Sequence, residues 1–554
     1  MAALHDHANI ASLAGDGEPP PPSTADRHRG GWTTFPFVIA CVAGLTLAAG
    51  GLVNNLIVFL INEFNIESVD AAQINNVFNG CVNLFPLIGA VAADSLLGCF
   101  SVIWISSLIS LLGFILLLLT VTVDNLSPPG CKTGSNFCIP PSRTQYAVLY
   151  TALALVSIGV AGTRFTLVTM GANQFTKLKH QSTYFNWYFF SLYGASFVSA
   201  TGIVYVEDNV SWGWGFGICI AANVIGLALF LIGSPFYCHD KPQASPFTSL
   251  LRVLIVSVRK RKAIISSEAK DYYYGDHQSK GIVAEAPTKS FRSLNRAALK
   301  AEGDVETNGS IAKPWRLCSV QQVEDLKNLI RITPVWSSSI FLSTPIGVLL
   351  SLTVLQALAT DRHVAGRRSF QLSAGSMIVF ALLATALGVI LTDRFLWPVW
   401  RKLRGKNPTA LQQIGIGHVL NIASMAVAAL VESKRRGSAT SRHLMSILWL
   451  VPQMVVVGVG EAFHFPGQVT LYYQEFPSCL KSLSSAMVAM AIGLAYYLST
   501  AVVDFIRRIT DWLPNDINDG RVDNVYWVMV VIGVINFGYY LVISWLYRCK
   551  NVQV

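Results

Sequence analysis

The hydrophobic positions of this chain fall into long runs rather than into the alternation of strands or the narrow stripe of amphipathic helices. Each run has about 20 residues or more, the length that a helix needs to cross the hydrocarbon core of a bilayer. Twelve runs in two groups of six predict an all-α membrane protein, with spans near 34–61, 75–93, 101–123, 145–171, 186–206, 212–236, 326–355, 371–393, 411–431, 444–474, 483–508 and 525–547.

The polar stretches divide the chain into two predicted six-helix bundles, a connector between them and a tail at each end. The connector begins with SPFTSLLRVLIVSVRKRKAII, whose amphipathic, basic pattern favours a helix on a membrane surface beside anionic lipid. A solvated linker is the alternative. The predicted regions are a disordered cytoplasmic tail at 1–33, bundles at 34–236 and 324–548, the cytoplasmic connector at 237–323 and a cytoplasmic tail at 549–554.

Basic residues indicate the side of the membrane on which each connector lies. Twelve spans put both termini on one side, and basic clusters at 252–262, 394–406 and 548–550 assign that side to the cytoplasm. The connectors at 362–368 and 434–442 carry basic residues on the outer side, so either these ends are shielded or a span is miscounted. Two six-span halves joined by a cytoplasmic connector predict the major facilitator fold, with a substrate site between the halves.

The composition agrees with this pattern and excludes several classes of function. Charged residues make up 13% of the chain, about half the share in soluble domains, and the mean hydropathy is +0.48. A net charge of +10 is typical of basic cytoplasmic loops rather than of nucleic-acid binding. No nucleophile elbow, HExxH or phosphate-loop motif occurs, so we predict neither an enzyme nor an ATP-driven pump, with no cofactor or metal. Cys131 and Cys138 flank a polar loop, and their pairing is left open.

Two charged residues lie deep in predicted spans: Arg164 in the fourth and Glu461 in the tenth. Burial of an ion is costly unless it meets a partner or water, so we predict that the two face one another across a central cavity. A guanidinium can hold the oxygens of an anion bidentately. A carboxyl in a low-dielectric cavity is hard to ionise and can carry a proton. For each residue, a structural contact between helices is the alternative.

Side-chain amides and three further charges complete the candidate site. Asn54 in the first span and Asn79 in the second are candidates for substrate binding, although such amides also join helices by hydrogen bonds. Lys327 and Arg331 at the beginning of the seventh span, and Asp94 after the second, are candidates for gating.

Several stretches resemble the plant nitrate/peptide transporter family, part of the proton-coupled oligopeptide transporters. They are ADSLLGCFSVI at 93–103, FNWYFFSLYGAS at 185–196, VEDLKNLIRITPVW at 323–336, and VPQMVVVGVGEAF at 451–463 with the GQVTLYYQEFPSCLKSLSSA that follows. The resemblance implies a major facilitator fold that alternates between outward-open and inward-open states. It also implies that Glu461 matches the tenth-span acid, which contacts substrate or pairs across the cavity, and that Arg164 aligns with the fourth-span lysine.

The chain departs from that family where most members couple transport to protons. Their fourth-span lysine pairs with an ExxE[KR] motif in the first span, which aligns here with Val42, Leu45 and Thr46. Arg164 therefore lacks the acidic partners that the family implies. The arginine that follows the glycine of the turn between spans two and three is replaced by Cys99.

The chain resembles the nitrate-excretion-type subgroup in three features. It lacks the ExxE[KR] motif, and it contains AGTRFTLVTMGANQF at 161–175 and VNNLIVFLINEFNI at 53–66. Members of this subgroup are associated with nitrate export and some with chloride. The phosphorylated threonine of one well-studied nitrate carrier aligns with Val102, and its nitrate-holding histidine aligns with about Ile346. A nitrate site here would therefore have to be built differently.

We therefore predict a secondary transporter for a small anion, nitrate or chloride, with Arg164 as anion anchor and Glu461 as pH-sensitive gate. The subgroup implies a plasma-membrane protein of low affinity and efflux type, and the fold usually works as a monomer. Protons and the lipid bilayer are the further predicted partners, and no nucleic acid is expected. The tonoplast is the other location to consider. Two alternatives stay open: a carrier of an organic solute such as a peptide, hormone or glycoside, and a nitrate sensor with weak transport.

Overall fold

A computed structural model describes residues 30–93, 97–129, 139–164, 166–175, 178–238, 246–266, 268–275, 287–301, 303–305, 311, 315–363, 371–440, 444–475, 483–514 and 516–547. Within these residues the regular structure is helical, and extended pairing is limited to isolated bridges. Asp94, Cys131, Cys138, the first 29 residues and the predicted tail at 549–554 lie outside the described residues.

Short irregular turns interrupt some of the helices of the first half. Pro86 has no amide hydrogen to continue the helix before it, and it begins a new helix after Phe85. A π-helical turn, Ser199–Ile203, interrupts the fifth span. The described helices are α1 (Phe35–Asn62), α2 (Ser68–Leu84), α3 (Pro86–Ala92), α4 (Cys99–Thr122), α5 (Arg143–Arg164), α6 (Thr166–Asn173), α7 (Leu178–Val198), α8 (Val204–Asn209) and α9 (Trp212–Ile232).

The connector and the second half continue the helical architecture. The helix that opens the seventh span begins at a capping box, in which the side chains of Ser319 and Gln322 each accept a hydrogen from the other's backbone amide. The described helices are α10 (Pro246–Arg259) in the connector, then α11 (Val320–Leu358), α12 (Ile378–Leu391), α13 (Trp397–Arg404), α14 (Ala410–Thr440), α15 (Val451–Glu475), α16 (Leu483–Ile509) and α17 (Val522–Leu546).

Helices occupy the positions of all twelve predicted spans. In the described residues, ten helical segments are long and apolar enough to cross a membrane. The second and fifth spans fall short of that measure for identifiable reasons. The second is divided between α2 and α3 and contains four asparagines, and the fifth is divided by its π-helical turn.

Glycines let the helices of each half approach closely. A methyl group at Gly44 on α1 would collide with the carbonyl oxygen of Ala222 on α9. In the second half, a methyl group at Gly458 on α15 would collide with the carbonyl oxygen of Ala381 on α12. In lipid the hydrophobic effect does not drive helices together. Small residues at such crossings stabilise the contact instead, because they permit close van der Waals packing.

The basic residues at 434–436, which depart from the rule that basic connectors lie on the cytoplasmic side, are each paired with another group. Arg435 is 2% exposed and forms an ion pair with Glu432, with 2.8 Å between Nη2 and Oε1. Arg436 pairs with Asp523, and the ammonium of Lys434 lies 3.1 Å from the ring centroid of Trp449. The charges of this cluster are therefore paired, as the first of the two explanations that the sequence left open requires.

The two halves contact one another from the middle of the bundle to its outer end. We use "outer end" for the end that carries the connectors 63–67 and 510–521, predicted to face away from the cytoplasm. Gly80 on α2 leaves room for the ring of Tyr497 on α16. Nearer the outer end, the Ser351 hydroxyl on α11 donates to the Asn76 side-chain oxygen on α2. The structure is thus closed at its outer end.

Candidate functional site

A cavity of about 500 Å³ lies between the two halves. Aliphatic side chains form much of its wall, and Val42, Leu45 and Thr46 are among them. These are the positions at which the family resemblance would place two carboxylates and a basic residue. The first-span side of the cavity therefore carries no acid to neutralise a cation on the fourth span.

Arg164 is the cation that lines this cavity. It ends α5, and its Nη1 donates to the side-chain oxygen of Asn83 over 2.9 Å. Although protein surrounds it, its side chain is exposed to the cavity. Among the described residues it forms no ion pair with a carboxylate. A guanidinium has five N–H donors, so most of them remain for a bound anion or water.

Glu461 lies on α15 and lines the same cavity from the second half. Its Oε2 accepts one hydrogen bond of 3.3 Å, from Thr385 Oγ1. That hydroxyl is also 2.9 Å from the Ala381 carbonyl oxygen and 3.0 Å from the Gly458 carbonyl oxygen. A hydroxyl has one proton to donate, so the longer bond to Glu461 is the weakest of the three. Arg164 and Glu461 thus share a cavity, as the sequence indicated, without pairing directly.

Two tyrosines lie near enough to Arg164 and Glu461 to interact electrostatically with both. Tyr193 on α7 and Tyr496 on α16 line the cavity, and each interacts with Arg164 and with Glu461. The sequence did not single them out, because a tyrosine in an aromatic span looks the same whether it faces lipid or a cavity. Their hydroxyls add polar groups that can both donate and accept next to the two charges.

Asparagines of α1 and α2 line the cavity, and some of them also hold neighbouring groups. Asn54 and Asn79 both line the cavity. The Asn79 amide also donates to the Asn75 carbonyl oxygen over 2.9 Å, one turn back on the same helix. Asn83, one turn further along α2, is the residue that holds Arg164. Its own amide donates to the Asn79 carbonyl oxygen, which orients its side-chain oxygen towards the arginine.

Two gating candidates lie away from the cavity and bind the connector. Lys327 donates to both the carbonyl and hydroxyl oxygens of Thr288 and pairs with Glu324, with 2.7 Å between Nζ and Oε1. Arg331 donates to the hydroxyl of Ser290 over 3.1 Å. Both therefore join α11 to the connector. Asp94, the third gating candidate, falls outside the described residues.

An ion pair reinforces the closed outer end above the cavity. Arg507 on α16 pairs with Glu67 and Asp70, which flank the start of α2, and its Nη2 lies 3.1 Å from Glu67 Oε2. All three side chains are partly exposed, with Arg507 at 28%. Water and salt screen such a pair, so its contribution is at most about 1 kcal/mol.

We expect Arg507→Gln to loosen the outer end by no more than about fivefold, the equivalent of 1 kcal/mol. The measurement is external labelling, by a membrane-impermeant maleimide, of a cysteine placed at the cavity residue Ser196. Arg508→Gln is the matched control, since Arg508 pairs only with Asp504 on its own helix among the described residues. Equal labelling of the two variants would contradict a role for Arg507 in closure.

Known sequences similar to this chain agree on one family. A family model described as PTR2, the POT family, matches residues 100–518. The Arabidopsis thaliana protein NRT1/PTR FAMILY 2.7 is 52% identical, over 98% of this chain and 98% of its own length. NRT1/PTR FAMILY 2.6 from the same plant is 52% identical, over 96% of this chain and 95% of its own.

Solved structures of transporters share the fold. The crystal structure of an auto-inhibited POT family peptide transporter matches with a TM-score of 0.69 at 16% identity, covering 94% of this chain and 98% of that one. The POT family transporter PepTSo, crystallised in meso, matches with a TM-score of 0.68 at 17% identity over 94% and 99% of the two chains. At these identities the likeness concerns the fold alone, and it confirms the predicted major facilitator architecture.

Proposed function

The chain belongs to the POT family of multi-pass membrane transporters, and from this premise we propose that it carries a small anion, nitrate or chloride, by alternating access. The observation that carries the proposal is Arg164, a permanent cation that faces the cavity without a carboxylate partner among the described residues. A site with an unneutralised guanidinium attracts an anion and can hold two of its oxygens at once.

Glu461 supplies the pH dependence in this proposal. When it is ionised, its negative charge opposes that of Arg164 and repels an incoming anion across the cavity. Protonation removes that charge, and the cavity then carries a net positive charge that favours anion entry. Burial favours the protonated form of a carboxyl. We propose efflux of low affinity across the plasma membrane by a monomer, with Lys327 and Arg331 gating through their contacts with the connector.

An organic solute is the second candidate, and one observation favours it. A cavity of about 500 Å³ is larger than nitrate requires, and it holds an unpaired cation and an acid on opposite halves. A zwitterion could place a carboxylate at Arg164 and an ammonium at Glu461. The missing ExxE[KR] carboxylates count against proton-coupled peptide import, although not against facilitated movement of an organic anion.

The proposal predicts nitrate efflux from oocytes that express the chain, measured with labelled nitrate and whole-cell current at external pH of about 5.5 and 7.5. Efflux should be greater at the lower pH, because protonated Glu461 admits the anion. Chloride as competitor separates the two ions, and excess organic anion tests the second candidate. Flux of neither ion with normal surface expression would contradict the proposal and favour an organic solute or a weakly transporting sensor.

A further inference from the structure

A pair of buried acids lies outside the cavity, in the short helix α8 near the outer end of the fifth span. Glu207 is 2% exposed and the neighbouring Asp208 is half-buried. The Glu207 side chain fits between two glycines, because a methyl group at Gly51 on α1 or at Gly215 on α9 would crowd it. This packing keeps the acid dry in the present conformation.

One neutral amide serves both carboxyl groups. The Asn55 side-chain nitrogen donates to Glu207 Oε2 over 3.0 Å and to Asp208 Oδ1 over 2.9 Å. The other oxygens of both acids are buried without a hydrogen-bond partner, and so is the side-chain oxygen of Asn55, which is fully buried. In the described part of the chain no Lys, Arg or His forms an ion pair with either acid.

The cluster lacks a hydrogen-bond donor for its remaining oxygens. Two ionised carboxylates beside one another, with no cation, are very unfavourable in a buried site. A single proton removes one charge and provides a donor for one of the three unpartnered oxygens. Of the helices packed against Glu207, α1 presents Asn55 and Gly51, and α9 presents Gly215 and the neutral thiol of Cys219. None of these side chains carries a positive charge that could neutralise a carboxylate in place of the proton.

The cluster lies beside the contact between the two halves. The side-chain oxygen of Asn55 faces Gly375, at the beginning of the eighth span in the second half. The next residue, Ser376, donates its hydroxyl to the Ala200 carbonyl oxygen over 2.7 Å, within the π-helical turn of the fifth span. Asn55 therefore holds the acids on one side and meets the second half on the other.

We propose that Glu207 binds a proton beside the Asp208 carboxylate and that this proton stabilises the closed outer end of the transporter. With the proton bound, the cluster stays dry and Asn55 remains packed against Gly375. Loss of the proton leaves two adjacent negative charges, which require water. Water reaches Asn55 and the acids when Gly375 and Ser376 move away, so deprotonation favours the outward-open state. The site acts whatever solute the cavity carries.

The test is external maleimide labelling of the Ser196→Cys reporter as external pH is varied between about 5 and 8, with the labelled residue identified by mass spectrometry. We expect labelling to increase with pH, by up to about tenfold per unit on the steep part of the curve, as a one-proton equilibrium requires. Glu207→Gln imitates the protonated state and should give low labelling that no longer responds to pH. Asp208→Asn should weaken the response in the same way, and because Asp208 is half-buried this variant tests the site even if Glu207→Gln fails to fold.

Asp504→Asn is the matched control, since Asp504 is a partly exposed outer-end acid that pairs with Arg508 on its own helix. Its labelling should follow that of the unsubstituted reporter. A pH response that survives in both Glu207→Gln and Asp208→Asn would overturn the proposal. So would labelling that follows sodium, replaced by an organic cation at constant pH, because the pair would then bind a metal cation instead of a proton. The readout uses no transported solute, so its outcome is separate from that of the nitrate experiment.

Discussion

Arg164→Ala is expected to reduce anion flux about 30-fold or more at subsaturating nitrate. The substitution removes the guanidinium that pairs with the bound anion, and loss of one partner of a buried hydrogen-bonded charge pair costs about 2–5 kcal/mol. Arg164→Lys keeps the charge and loses the planar fork of donors, so it should retain part of the flux. The measurement is labelled nitrate efflux from oocytes, normalised to surface expression.

Arg143→Ala is the matched control for this experiment. Arg143 begins the helix that Arg164 ends, and its side chain is exposed at the other end of α5. This substitution removes the same charge from the same helix and should leave efflux unchanged. Unchanged efflux in Arg164→Ala, at normal surface expression, would exclude Arg164 as the anion anchor.

Glu461→Gln should remove the loss of flux that ionisation of Glu461 causes at high pH, and leave only the pH dependence that Glu207 and Asp208 confer. Glutamine has the shape of the protonated acid and cannot ionise, so the repulsion of an anion at high pH disappears. The effect is therefore largest at high pH, where the unsubstituted chain should lose flux by up to about tenfold per pH unit. Efflux measured across a pH series gives the comparison.

Glu475→Gln controls for the loss of an acid from the same helix, since Glu475 ends α15 and is partly exposed. It should keep the normal pH profile. The reporter at Ser196 separates the two proposed proton sites, because Glu461→Gln should not alter the labelling response assigned to Glu207 and Asp208. A normal pH profile of flux in Glu461→Gln would remove this residue from the gate.

The spans and the two deep charges were predictable from sequence because both are local signals. A run of about 20 apolar residues indicates a span wherever it occurs, and an uncompensated charge within such a run is conspicuous. The resemblance to known motifs added the fold and the absent first-span carboxylates. The second and fifth spans were also located, although α2 has four asparagines and α7 is followed by a π-helical turn.

The partners of the charged residues were not predictable, because they depend on contacts between distant segments. Asn83 and Arg164 are 81 residues apart, and Asn55 and Glu207 are 152 apart. In the sequence, Glu207 stands in the stretch VEDN just beyond the predicted fifth span, where water would normally reach a charge. Gly51 and Gly215 bury it, and two glycines give no indication of this until the helices that carry them are packed together.

The docking of the connector on the base of α11 couples the connector to the mechanics of the transport cycle. The buried apolar side of α10, at Leu250, Val253 and Val256, belongs to one core with Val323 on α11. At 39 residues, α11 is about 58 Å long, against about 30 Å for the hydrocarbon core, so it extends well beyond the bilayer. The connector is therefore attached to the second half through α11 and moves with it. A protein that binds the connector more tightly in one state than in the other would slow the cycle, without ever reaching the cavity.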